Sequence, residues 1–244
     1  MVQFVPFRGA LLDALAVMAP TECSGCGAAD RAVCAGCRLA LVPWVHPARR
    51  NAQHLPAEPP ITVWSALEYS GVAQRVVGAY KDGGRTDAAS ALTGPLLAAV
   101  AVALERSEHA GDGSSRAGIR LATIPSSRRA MRSRGFKPVE LLMRRAGLRA
   151  STVLRQTGEA ADQVGLDRVS RDLNKRGSLA ATQVLDGYRL LLVDDIVTTG
   201  ATLFEARRAI TEGGGIVVGY ATLAETPRRF PEVISSQETR PQNL

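Results

Sequence analysis

Four consecutive apolar residues, Leu190-Leu191-Leu192-Val193, lead without alternation into two carboxylates, Asp194 and Asp195. Such a run suits a strand buried on both faces, as in the middle of a parallel sheet with helices above and below. The carboxylates fall where the strand should end. Thr198-Thr199-Gly200-Ala201-Thr202 then forms a small, hydroxyl-rich turn, and Leu203 to Ile210 has the apolar spacing of a helix. Strand, acidic pair, phosphate-sized loop and helix, in that order, indicate an α/β sheet with its ligand edge at the carboxyl ends of the strands.

Each part has a chemical reason. The first turn of a helix has free backbone N–H groups and a dipole that favours an anion, so Thr198 to Thr202 can enclose one phosphate. Gly200 lets the backbone come close. Asp194 and Asp195 would repel that phosphate, so their natural partners are sugar hydroxyls, with a divalent cation nearby. A ribose 5-phosphate satisfies both ends at once. The blander readings are a Walker-B-like strand end, or an N-cap with a solvated neighbour. The chain has no G-x-x-x-x-G-K-[ST] run, so a nucleotide triphosphatase would lack its other half.

Val193-Asp194-Asp195-Ile196-Val197-Thr198-Thr199-Gly200-Ala201-Thr202 resembles the phosphoribosyl-pyrophosphate (PRPP) motif of the type I phosphoribosyltransferases. The resemblance implies a parallel sheet flanked by helices. It puts Asp194 and Asp195 on the ribose hydroxyls as the catalytic pair. It puts Thr198, Thr199, Gly200, Ala201 and Thr202 on the 5-phosphate, with Mg2+ accompanying PRPP.

The net charge of +7 and a pI near 9.7 point to polyanionic partners, either phosphorylated substrates or nucleic acid. Aromatic residues are only 5% of the chain, which leaves few platforms for stacking bases. The stretch Ala10 to Ala19 reads as an amphipathic helix and not as a signal peptide, because Asp13 interrupts it and no basic cluster precedes it. No run is expected to approach the roughly 18 apolar residues of a membrane span. The cytoplasm is the expected compartment, where cysteines more often bind metal than form disulfides.

The cysteines form two C-x-x-C knuckles, Cys23 with Cys26 and Cys34 with Cys37, separated by seven residues. Two such turns supply four thiolates for tetrahedral Zn2+, with a pair of redox dithiols as the alternative. A site closed by four thiolates leaves no coordination place for catalysis, and its contribution is folding energy. His46, His54 and His109 lack ligand spacing and read as solvated. The Pro-rich stretch from Pro47 to Pro60 reads as a linker. This divides the chain into residues 1–46 (N-terminal helix and zinc module), 47–60 (linker), 61–225 (phosphoribosyltransferase-like domain) and 226–244 (a disordered tail).

Within the large domain, Ile61 to Tyr69 reads as a strand and Val72 to Tyr80 as a helix stopped at Gly83-Gly84. Thr86 to Leu104 reads as an alanine-rich helix broken or kinked near Gly94-Pro95. Further strands are expected over Arg120 to Ile124, Ser151 to Leu154 and Ile216 to Leu223. From Arg116 to Arg149 the basic residues are opposed only by Glu140. Those in the loop after the strand ending at Ile124 lie at the ligand edge, where the planar fork of Arg suits phosphate oxygens. The polar stretch from Arg155 to Asn174 reads as a lid that would keep water from a reactive sugar cation.

The order of these features resembles a narrower family, ComF/GntX. It is carried by the two knuckles before Pro43-Trp44, then Lys81-Asp82-Gly83-Gly84-Arg85, Ile124-Pro125, Arg134-Gly135-Phe136, Asp162-Gln163-x-Gly165-Leu166, Arg171-x-x-Asn174-x-x-Gly177 and the PRPP motif. Lys137-Pro138 replaces the usual Asn-Gln, and Leu179 stands where an aromatic is common. The resemblance implies an N-terminal zinc module joined to a phosphoribosyltransferase-type domain. On this reading Ser126, Ser127, Arg128 and Arg134 serve the pyrophosphate side of PRPP, with Arg171 and Lys81 as further contributors. The family is associated with natural competence, so a second expectation is a DNA-uptake accessory protein that binds single-stranded DNA or a partner of the uptake machinery. A zinc-stabilised scaffold without a ligand is the third.

Overall fold

The structure, a computed structural model, describes residues 21–29, 31–52, 58–109, 118–158 and 176–227. The helix expected over Ala10 to Ala19, most of the expected lid, including Asp162, Arg171 and Asn174, and the tail from 228 lie outside the described residues.

Strands β1 (His46–Arg50), β2 (Ile61–Glu68), β3 (Ile119–Thr123), β4 (Ala150–Ser151), β7 (Arg189–Val197) and β8 (Ile216–Glu225) form one sheet in the order β1-β2-β8-β7-β3-β4. All neighbours run parallel except the edge pair β1–β2. Two short strands, β5 (Leu154–Gln156) and β6 (Leu179–Ala181), pair separately and antiparallel. The helices are α1 (Ala35–Leu39), α2 (Gly71–Lys81), α3 (Ala89–His109), α4 (Arg128–Arg134), α5 (Pro138–Arg145) and α6 (Ala201–Glu212).

The apolar run becomes the central strand β7, and its side chains divide between two cores as the two-residue strand period requires. Leu191 and Val193 join a core with Leu96 and Val100 of α3 and Leu142 of α5. Leu190 and Leu192 join a second core on the other face with Leu203, Phe204 and Ile210 of α6. All four are completely buried. The sheet is therefore the middle layer of three, as the unalternating run predicts.

Four expectations change. Residues 46–50, placed mostly in the linker, form β1, and Pro47 is accommodated because an edge strand has one side of its ladder unpaired. The strand expected over Ser151 to Leu154 divides into β4, in the main sheet, and β5, in the small one. Of the break or kink expected near Gly94-Pro95, the break does not occur, and the helix continues through Pro95 after a 3-10 turn at Thr86–Ala88. Packing of its apolar side against the sheet, with Leu92, Leu96, Ala99, Val100 and Ala103 buried, outweighs the hydrogen bond that proline removes. Finally, Thr86–Ser107 is long and apolar enough by composition to cross a membrane, contrary to the expectation that no segment is, although its apolar face serves the core.

The close approach of α3 to the sheet requires Gly219 of β8. A Cβ there would lie 2.4 Å from Ser107 Oγ, beside the irregularity between β7 and β8 at Leu190/Leu191.

The cysteine segment packs onto this body. Cys23, Val33, Cys37 and Leu41 share one core with Val76 and Tyr80 of α2. Arg75 donates to the Gly25 carbonyl, and Arg85 donates to the Glu22 carbonyl at 2.9 Å.

Candidate functional site

The neighbours of β7 end at different points. β3 pairs with it only as far as Thr123↔Val193, whereas β8 continues to Val197↔Glu225. Asp194 and Asp195 thus lie on a strand that has lost its partner on one side. The acidic pair itself supplies acceptors there. Asp195 N–H donates to Asp194 Oδ1 at 2.8 Å, and Ile196 N–H donates to Asp195 Oδ1 at 2.7 Å. The carboxylates and Ser126, from the loop after β3, line a small cavity of about 30 Å³ together with Lys137 and Glu140.

Lys81, the last residue of α2, places Nζ 2.7 Å from Asp195 Oδ2. Both Asp195 oxygens are thereby engaged within the protein. The next residue, Asp82, accepts from Arg134 at 2.7 Å. The end of α2 therefore ties the acidic pair to α4 and brings Lys81 and Arg134 to one side of the site.

The loop that follows β7 opens α6. Gly200 occupies its N-cap with φ 87°, a left-handed conformation that favours glycine, and its carbonyl accepts from Phe204 N–H at 3.0 Å. A Cβ at Gly200 would lie 3.1 Å from Arg50 Cβ. Thr199 Oγ1 accepts from Ala201 N–H at 3.3 Å, so this hydroxyl caps the first turn. Thr198 is exposed, and Thr199, Ala201 and Thr202 are half-buried around the helix start.

Other expected residues are placed less directly. Ser127 is the N-cap of α4, its Oγ accepting from Ala130 N–H at 3.1 Å, which gives that hydroxyl a local structural task. Arg128 is the first residue of α4. Arg171 lies outside the described residues. His46, expected to be solvated, is instead held by Glu225, with Nε2 2.6 Å from Oε1. The sequence reading missed Arg50 and Glu225, which stand behind the loop. Their only signal was a basic residue inside a Pro-rich stretch and an acid at the end of the last strand.

The four cysteines converge as their spacing predicts. Their sulfurs all lie within 4.8 Å of one another, with Cys26 Sγ and Cys34 Sγ 3.7 Å apart. Zn–S bonds of about 2.3 Å in a tetrahedron place sulfurs about 3.8 Å apart, so the set fits a tetrahedral divalent metal. Burial and the neighbouring sulfurs push the Cys37 thiol up to about 12. Burial acts in the same direction at Cys23, but N–H groups of Cys34, Gly25 and Cys26 more than offset it and bring that thiol down to about 6. The two buried cysteines thus differ, with the thiolate favoured at Cys23 and the neutral thiol at Cys37.

Comparison with known proteins agrees with this geometry. Residues 132–236 match the family model of the phosphoribosyl transferase domain. The matched stretch includes α5, β4 to β8 and α6, while β1, β2 and β3 complete the same sheet from outside it. The chain is 51% identical over 45 residues to an adenine phosphoribosyltransferase of Frankia casuarinae, covering 18% of this chain and 24% of the relative. It is 34% identical over 77 residues to an orotate phosphoribosyltransferase of Campylobacter jejuni, covering 32% and 36%. An adenine phosphoribosyltransferase of Synechococcus is 31% identical over 93 residues, covering 38% and 53%. The chain thus spans between about a quarter and about half of the length of these curated relatives. With a mostly parallel sheet, the acidic pair at its open edge and the loop at a helix start, the chain carries a phosphoribosyltransferase-type domain.

Proposed function

We propose that the protein binds PRPP with Mg2+ and transfers its phosphoribosyl group to an acceptor, in the cytoplasm. The observation that carries this reading is the placement of Asp194 and Asp195 at the point where β7 loses β3, directly before the loop that starts α6. The loop N–H groups and hydroxyls take the 5-phosphate, and the carboxylates take the ribose hydroxyls. Mg2+, when bound with PRPP, neutralises charge on the pyrophosphate. The bond from the anomeric carbon to the pyrophosphate oxygen breaks, the electron pair leaves with pyrophosphate, and a lone pair of the acceptor forms the new bond at that carbon. Asp194 and Asp195 offset the positive charge that develops on the sugar. Lys81, Ser126 and Arg134 lie on the side assigned to the leaving group. For the transfer, Lys81 would exchange Asp195 for a phosphate oxygen. The names of the adenine and orotate relatives make nucleobases the first acceptors to try.

In the same proposal Cys23, Cys26, Cys34 and Cys37 hold Zn2+ as a structural ion. This module, followed by the phosphoribosyltransferase domain, is the arrangement of the ComF/GntX family.

Calorimetric titration with PRPP and Mg2+ tests the site. Binding by the wild type is expected, with at least a tenfold loss in the double variant Asp194→Asn, Asp195→Asn. A folded wild type that takes up no heat with PRPP refutes the transferase reading.

The exposed Arg129 and Arg132 of α4 favour a second reading, single-stranded DNA bound during uptake. Its affinity would fall steeply with salt and fall again on replacing both arginines with alanine. Binding that is indifferent to both changes removes this reading.

A further inference from the structure

Arg50 is only 2% exposed although it ends an edge strand. Its guanidinium is committed in several directions. Nε donates to the Thr198 carbonyl at 2.8 Å, and one terminal nitrogen donates to Glu225 Oε2 at 2.6 Å and to the Thr226 carbonyl at 3.2 Å. The other donates to the Arg49 carbonyl at 3.1 Å. Glu225 is held in turn by His46 at its second oxygen. On the other side of Arg50 lies Gly200, whose missing Cβ leaves room for the Arg50 stem.

A carbonyl turned towards a bound phosphate would repel it. In a short loop, turning one carbonyl inward also turns neighbouring N–H groups outward. Arg50 holds the Thr198 carbonyl on the protein side. We propose that Arg50, anchored by Glu225, is the positioning residue of the anion-binding loop 198–202, acting from behind it without touching the ligand. The PRPP arm of this inference rests on the function proposed above, whereas the loop arm does not.

The test uses the full-length protein and the variant Arg50→Lys, which keeps a cation beside Glu225 but lacks the planar fork needed to serve several acceptors at once. Two quantities are measured: amide hydrogen exchange over 198–202 against that over 189–193, and titration with PRPP and Mg2+. Exchange in the loop is expected to quicken about tenfold with the central strand unchanged, and PRPP affinity to fall about tenfold, the loss of one charge-assisted hydrogen bond. Equal acceleration in loop and strand would make Arg50 merely structural and overturn the proposal, as would unchanged exchange in the loop. If the wild type fails to bind PRPP, the transferase reading falls and the exchange comparison still decides the role of Arg50. Should Arg50→Lys not fold, Glu225→Gln frees the anchor while retaining Arg50. It is expected to quicken exchange selectively in the same loop, and no selective change there refutes the proposal.

Discussion

At the scale of single residues, two glycines on different helices answer to different physics. Gly200 has φ 87° and faces the buried stem of Arg50, so alanine there meets both a left-handed backbone and a contact at 3.1 Å. The backbone alone costs about 1–2 kcal/mol, and the contact adds to it because the fixed guanidinium keeps the Arg50 stem from yielding. Gly78, inside α2, has no positive φ, and apart from its chain neighbours and its own helix backbone no atom lies within 4 Å of a new Cβ. Alanine there restricts the unfolded chain and favours the helix, for a gain of about 0.5–1 kcal/mol. In urea denaturation, Gly200→Ala should lower the midpoint and Gly78→Ala should raise it. A neutral Gly200→Ala would mean that the loop relaxes away from Arg50.

At the scale of elements, β7, α6 and β8 were legible because their signals are local: an unbroken apolar run, a helical spacing and a glycine-bounded strand. The acidic pair and the loop were legible for the same reason, since all of them fall within one short segment. β1 was not, because its burial is decided by distant partners. Nothing in His46-Pro47-Ala48-Arg49-Arg50 announces that Arg50 will be enclosed by Glu225 and residues beside Gly200, which are more than a hundred positions away. Hydrophobic period cannot find a strand whose key inward residue is charged. The pairing of Lys81 with Asp195 was hidden likewise. The sequence placed Lys81 at a helix end, and only the resemblance put it near the site, because its partner depends on where the end of α2 meets the end of β7. The unbroken α3 shows the reverse case, a local proline signal overruled by tertiary packing.

At the scale of the whole molecule, the cysteine segment and the phosphoribosyltransferase-type domain share a core, and this determines how metal removal should act. Cys23, Val33, Cys37 and Leu41 pack with Val76 and Tyr80 of α2, and α2 ends at Lys81 against Asp195. Taking the proposed Zn2+ from four clustered thiolates leaves sulfurs in close contact without a counter-charge, two of them buried. The loss should therefore spread through α2 into the main core and leave no independently stable remainder. Calorimetric unfolding before and after treatment with a strong chelator under reducing conditions distinguishes the cases. A single transition is expected in both, displaced downward by at least about 5 °C without metal, which for a domain of this size corresponds to about 2 kcal/mol. Two transitions, with the upper one unmoved, would show that the module folds apart from the sheet despite the shared core. An unchanged single transition, with zinc absent by elemental analysis before treatment, would show that the cluster is a reduced thiol set, and the redox reading of the two knuckles would then replace the structural metal.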